Sequence, residues 1–269
     1  MFKKFIVTFL FSILFISQSY AKEITLHMAS IEDSPKLHLY FHELLQTALL
    51  EDGQDVKLIT EELPQLRVKY YLDNGVTTIY WLLQSQERDE KYIPIKIGLT
   101  EGLIGKRILL IKRGNQHIFD KVKTLEDFRD LNLVAPIAKK WFDIKVWEEN
   151  DLTYSEHKGS WKTIFKTLSH RTGYDYFSRG LNEIGVEVKE YPLLEIEKRL
   201  VLIYDRDFIF YLSKEGPNSG AKYKDIIEHA LTKAKESGLI KRLVKKYWAS
   251  DFEELDYDNR IKLYLKTPK

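Results

Sequence analysis

The chain contains no cysteine at all, and its longest apolar stretch, Phe5 to Ile16, covers only 12 residues. The first absence excludes disulfides and the cysteine on which a bacterial lipid anchor is built. The second falls short of the roughly 20 apolar residues that a membrane span needs. Charge of one sign is also lacking. The chain carries 42 basic and 40 acidic residues, and loss of Lys3 and Lys4 with the first 21 residues would make the two numbers equal. Such a balance argues against non-specific binding to nucleic acid or to an anionic membrane. No repeat, low-complexity tract or linker rich in Gly, Ser or Pro interrupts the chain.

Catalytic and cofactor signatures are missing as well. The seven histidines form no HExxH pair, and His38 with His42 alone is the pattern of a solvated helix face. The glycine-containing run Gly98 to Arg107 lacks the spacing of a phosphate loop. Lys241, Arg242, Lys245 and Lys246 alternate with Leu243 and Val244, as on the solvated side of an amphipathic helix. No metal, no cofactor and no enzymatic activity are expected.

What is present begins with an export signal. Lys3 and Lys4 precede the apolar run, and polar Ser17, Gln18 and Ser19 lead to Ser19-Tyr20-Ala21, which puts small residues where a signal peptidase reads. Residues 1–21 therefore read as a cleavable signal peptide, with the mature protein starting at Lys22 and free in a bacterial periplasm. Charged residues at 30% and apolar residues at 44% describe an ordinary soluble protein.

Strand and helix signals then alternate. Glu23 to Ala29 reads as a strand. Ser34-Pro35 reads as a cap with proline at the first helical position, and Leu37, Phe41, Leu44, Leu45, Ala48 and Leu49 keep helical spacing until Gly53. Further strands are expected at 55–59, 76–82, 92–97, 107–112, 132–137, 174–177, 200–204 and 208–212. Helices are expected from Pro64 to Leu72, at 124–130, at 143–149, around Trp161 to Leu168, after Ser178 through Glu187, and over two C-terminal runs split by Gly238. This alternation argues for an α/β fold with mainly parallel sheets.

Two polar elbows at strand ends stand out, because ligands of α/β proteins bind there. The first, Gln84-Ser85-Gln86-Glu87-Arg88, follows the apolar strand that carries Trp81. The second, Thr172 to Ile184, carries Arg179. Arg88 could hold a carboxylate by a bidentate fork or pair at the surface with Glu87, Asp89 or Glu90. Arg179 could face an anion or pair with Glu183 four residues on. Trp81 and Trp141 could wall a pocket or belong to the core. Gln84 and Ser85 are candidate hydrogen-bonding groups or parts of a plain turn, and Asp175 is expected to orient the second elbow.

The turn ending in Arg88 and followed by Ile93-Pro94-Ile95, together with the C-terminal stretch Asp225 to Trp248, resembles the periplasmic solute-binding proteins of the amino-acid-binding kind. Phe177, Arg179, Gly180 and Glu183 are similar to the FxRGxxE element of a divergent branch. The resemblance implies a two-lobed type II fold with two hinge crossings. Lobe 1 would be 22–107 with 205–269, and lobe 2 would be 108–204. It implies a monomer that closes around a small anionic solute and presents it to a membrane permease or a sensor receptor. Arg88, Arg179, Gln84, Ser85, Trp81 and Trp141 would be the ligand-binding residues. Two departures accompany the resemblance. Ala135 to Trp141 replaces the family's glycine-rich loop, and no carboxylate sits near Arg179-Gly180, where amino-acid binders hold the amino group. A sensory or accessory protein and a dehydratase-like enzyme are the alternatives.

Overall fold

The computed structural model describes residues 23–31, 37–170 and 173–268; the export signal, the Ser34-Pro35 cap and Thr172 lie outside them. The chain opens with β1 (Ile24–Ile31), α1 (Leu37–Glu51), β2 (Val56–Leu63), α2 (Gln65–Asp73) and β3 (Ile79–Leu83). The helical spacing of α1 has its packing counterpart in Phe41, Leu44, Leu45, Ala48 and Leu49, all buried. Gly53 ends that segment at φ 81°, a backbone conformation that costs glycine nothing. β1 and β2 run parallel. Thr78 N–H, just before β3, donates to His27 O at 2.8 Å and ties β3 to β1.

The first elbow is a helix. α3 (Gln86–Lys91) follows β3 directly, and β4 (Ile93–Ile95) follows it. Ser85 caps α3, its hydroxyl accepting from Arg88 N–H at 3.4 Å. A first crossing, with a tight turn at Leu103–Gly105, leads into β5 (Lys106–Lys112). Then come α4 (Leu125–Asp130), β6 (Ala135–Ala138), α5 (Asp143–Glu149), β7 (Tyr154–His157), α6 (Thr163–His170), β8 (Tyr176–Gly180), α7 (Leu181–Glu187), β9 (Leu194–Ile196) and β10 (Leu200–Ile203). α4 starts from a capping box made by Thr124 and Asp127. Ser178 does not cap α7 as expected; it lies inside β8, and Gly180 is the N-cap. The second crossing leads to β11 (Phe208–Leu212), α8 (Lys224–Glu236), α9 (Leu239–Glu254) and β12 (Ile261–Tyr264).

β6 and β7 pair in parallel, as do β10 and β12. The strands next to the crossings run the other way. β11 lies antiparallel between β3 and β4, and β5 lies antiparallel to β8, β9 and β10. The expectation of mainly parallel sheets therefore does not hold: β1–β2 and β6–β7 are parallel, β3–β11–β4 is antiparallel, and the sheet of β12, β10, β5, β8 and β9 is mixed.

β12 pairs far from the helices that precede it. Its partner β10 belongs to the 108–204 segment, and Leu263 and Leu265 join the core of Leu109, Val146, Trp147 and Tyr176. The end of the chain thus joins the sheet of β10, β5 and β8 after α9, which packs on α1 and α8. The apolar character of Ile261 and Leu263 alone does not say which sheet edge receives them; only the β10 edge left open beside β5 does.

A clasp joins the first two crossings. The half-buried Asp207 carboxylate accepts from Thr100 N–H, Gly102 N–H and Phe208 N–H at 2.8–3.2 Å, and from the Thr100 hydroxyl. Burial raises its pKa, and the four donors oppose that shift.

Candidate functional site

Arg88 sits in the first turn of α3, half-buried, with its guanidinium folded back so that Nη1 donates to Leu83 O at the end of β3. Among the described residues no carboxylate forms an ion pair with it. Burial lowers its pKa, with Tyr211, Glu87 and Tyr92 acting in the opposite sense. The neighbouring acids have other partners: Asp89 accepts from Tyr211 Oη at 2.7 Å and from Gln84 Nε2 at 3.4 Å, and Glu90 accepts from Gln86 at 3.0 Å. Arg88 is thus a half-buried cation whose hydrogen-bond partner is a neutral carbonyl, leaving most of its fork available.

Gln84 and Ser85 hold this elbow in place. Gln84 N–H donates to Asp207 O at 3.1 Å, so the elbow is hydrogen-bonded to the second crossing. Ser85 combines its cap with a backbone N–H that reaches Tyr211 Oη at 3.4 Å. Trp81 is a core residue, 3% exposed and stacked on Phe41 with ring centroids 4.5 Å apart.

Arg179 is placed very differently. It is 4% exposed and holds Glu187 by a two-pronged pair, Nε to Oε2 at 2.8 Å and Nη2 to Oε1 at 2.6 Å, with Glu183 Oε1 at 3.2 Å. Three aromatic rings surround the guanidinium, Trp161 at 4.8 Å, Phe177 at 5.4 Å and Trp141 at 5.6 Å. Burial works against its charge, but Glu183 and Glu187 outweigh burial and raise its pKa. Glu187 is shifted upward by burial, against the pull of Arg179. Trp141, half-buried, stacks on Phe177 at 6.2 Å and forms part of this box. The loop before it has Lys140 at φ 66°, a left-handed conformation that a glycine-rich loop would adopt without strain.

A second buried pair adjoins the first. Arg107, at the start of β5, donates from Nη2 to Asp143 at the start of α5, and its Nη1 lies 3.7 Å from Glu183 Oε2. Its guanidinium also lies over the Tyr204 ring at 5.6 Å. Asp143, Tyr204 and Glu183 outweigh burial and raise its pKa. Two cations, Arg107 and Arg179, and three carboxylates, Asp143, Glu183 and Glu187, thus meet in one cluster with a formal excess of one negative charge. The structure does not bring Arg88 and Arg179 together in any contact among the described residues. Asp175 orients the second elbow, accepting from Val134 N–H at 2.8 Å.

Sequence reasoning missed Arg107, Glu187 and Asp207, and the pairing of Asp143 with Arg107. The Arg179–Glu183 spacing was visible, whereas Glu187 reaches Arg179 from the far end of α7, and the Arg107–Asp143 pair joins residues 36 positions apart. Among the described residues no cluster of metal-ligating side chains exists, and no helix is long and apolar enough to cross a membrane.

The architecture is the two-lobed α/β fold seen in periplasmic binding proteins. Among solved structures, the probable amino-acid ABC transporter extracellular-binding protein ytmK from Bacillus subtilis is similar with a TM-score of 0.62 at 15% identity, over 86% of this chain and 100% of that one. A structure concerned with glutathione import via GshT and the cystine ABC importer TcyBC of Streptococcus mutans is similar at 0.56 and 13% identity, over 85% and 96%. The GluR0 ligand-binding core in complex with L-glutamate is similar at 0.55 and 9% identity, over 83% and 98%. By sequence, no family profile and no curated protein matches the chain.

Proposed function

We propose that the protein is a periplasmic solute-binding protein whose lobes close around a small carboxylate-bearing organic solute, with Arg88 as the carboxylate fork. The observation that carries this reading is Arg88 itself, a half-buried cation without a carboxylate partner among the described residues, on a strand-end elbow hydrogen-bonded to a crossing. A bidentate guanidinium–carboxylate pair would replace a single bond to a neutral carbonyl and gain charge assistance. The fold supports a binding role, since the similar structures include a probable amino-acid ABC transporter extracellular-binding protein and the GluR0 ligand-binding core in complex with L-glutamate. The bound, closed form would be read by a membrane permease or a receptor. Release from the membrane by signal cleavage, a monomeric state and the absence of catalysis belong to the same proposal.

Arg179 enters this reading as a structural residue. Its charge is already matched by Glu187 and Glu183, so a clamp of two arginines on a dianionic solute is not favoured. The same observation supports a second reading, a sensory or accessory protein whose second lobe binds with less charge than a transporter's would.

A thermal-shift screen of the mature protein against amino acids, mono- and dicarboxylates, phosphorylated metabolites and short peptides tests the proposal. A ligand present at 100 times its dissociation constant should stabilise the fold by about 2.7 kcal/mol. Arg88→Ala should remove that shift and leave the unliganded melting temperature close to wild type. A wild-type protein that responds to no carboxylate, or a variant that retains the full response, would overturn it.

A further inference from the structure

Three of the five tryptophans belong to the core, Trp81 at 3%, Trp147 at 0% and Trp248 at 7% exposure, whereas Trp141 and Trp161 are only half-buried. Their placement follows from the strands before them. Trp141 comes shortly after the end of β6, and Trp161 shortly after the end of β7, which runs parallel to β6. Val134 and Asp175 bond to each other at the starts of β6 and β8, and Arg179 near the end of β8 lies 5.6 Å from the Trp141 ring, so β8 runs the same way. The end of β8 meets β5 where the first crossing enters it, with Gly180 opposite Arg107. Both indoles therefore stand at the carboxyl ends of parallel strands beside a crossing, the place where α/β proteins bind ligands. The Arg88 elbow, at the carboxyl end of β3, adjoins the second crossing through Gln84 N–H and Asp207 O.

The two rings are 6.0 Å apart and tilted by 46°. A ring stacked between them would need about 7 Å, two carbon contacts of about 3.5 Å each, so the pair makes a floor and not a sandwich. The protein fixes that floor from one side. Arg179 lies 4.8 Å from the Trp161 ring, Phe177 stacks on Trp141 at 6.2 Å, and Phe165 meets Trp161 edge-on at 6.0 Å. Because Glu187 and Glu183 hold Arg179, the indoles are oriented before any solute arrives, which lowers the ordering cost of binding. The loops that carry them, 139–142 and 158–162, also contain Lys139, Lys140, Lys158 and Lys162, all exposed, and no acidic residue. An aromatic surface rimmed by cations selects a planar ring that bears negative charge.

We infer that Trp141 and Trp161 form the floor of the proposed solute site on the side of β6, β7 and β8, and that the solute is an aromatic carboxylate whose ring stacks on them. A saturated ring of the same size covers the same apolar area but forgoes the ring-on-ring geometry, and this difference defines the class. The inference rests on the solute-binding reading and adds to it the chemistry of the solute's body.

The test is titration calorimetry with benzoate, phenylacetate and 3-phenylpropionate against cyclohexanecarboxylate, cyclohexylacetate and 3-cyclohexylpropionate. Each pair shares its carboxylate and chain and differs in the ring alone. The wild-type protein should bind the best aromatic acid at least about fivefold more tightly than its saturated partner. Trp161→Leu should remove that preference, Trp161→Phe should keep it, and Arg88→Ala should weaken both members of a pair alike. Acrylamide quenching gives a readout on the unaltered chain: with Trp81, Trp147 and Trp248 buried it reports Trp141 and Trp161, and the bound aromatic acid should reduce it. Saturated acids bound as tightly as aromatic ones, a preference that survives Trp161→Leu, or quenching unchanged by the bound acid would overturn the aromatic floor and leave the binding role standing. Binding of another carboxylate through Arg88 while none of the six binds would do the same. If no carboxylate binds at all, both readings fall.

Discussion

Replacing Arg179 by methionine separates a structural arginine from a ligand-binding one. The substitution keeps an unbranched chain inside the box of Trp141, Trp161 and Phe177 and removes the charge that holds Glu187 at 2.6 and 2.8 Å. Breaking a buried pair from one side costs about 3–5 kcal/mol, because the remaining charge is left uncompensated. A carboxylate in that position protonates on folding, which sets a bound. Holding a proton on a group of ordinary pKa about 4.3 at pH 7 costs about 1.36 kcal/mol per unit, or about 3.7 kcal/mol. The sign of the pH dependence follows. In the variant the folded pKa of Glu187 rises further above its unfolded value, so the loss is largest at neutral pH and shrinks as pH falls toward the unfolded pKa. Between pH 7 and pH 5 the bound drops by about 2.7 kcal/mol. Urea unfolding of wild type and variant at both pH values measures this difference. A loss of less than about 1 kcal/mol at pH 7 that does not change at pH 5 would refute the reasoning and return Arg179 to the ligand-binding set.

Other perturbations probe the frame that carries the site. Gly75→Ala should be the most damaging glycine change, since its Cβ would lie 1.7 Å from Glu215 O at a position with φ 61°; a loss of more than about 3 kcal/mol is expected in urea unfolding. Gly180→Ala crowds Asn182 and Glu183 and should cost about 1–3 kcal/mol, with a chemical-shift change at Trp161 as Arg179 adjusts. Asp207→Ala leaves the N–H groups of Thr100 and Gly102 without their acceptor, and should lower stability by about 3 kcal/mol while amide exchange at the crossing accelerates. Arg88→Ala, in contrast, removes a charge whose pKa burial already depresses, and should leave the unliganded fold within about 0.5 kcal/mol of wild type.

Helical spacing in α1, α8 and α9 was legible because each buries a continuous apolar stripe, and local sequence then suffices. Gly238 marked a helix boundary for an equally local reason. The elbow at Gln84 to Arg88 was legible as a polar break at a strand end but not as a helix, since the six residues of α3 bury no apolar side chain and show no period. Ser178 was misplaced because Tyr176 to Gly180 is buried from end to end, and a fully buried strand tolerates a serine that propensity would put at a cap.

The sequence by itself determined the α/β alternation, the placement of an arginine at each of two strand ends, and the absence of cysteine and catalytic motifs. These follow from periodicity, turn chemistry and composition, which act over a few residues. Only the tertiary structure decided which arginine keeps its charge available. Glu187 folds back on Arg179 from the end of α7, Arg107 finds Asp143 across the second lobe, and no described acid pairs with Arg88. Whether a charge is matched depends on which groups packing brings within about 4 Å of it, and chain order does not contain that distance.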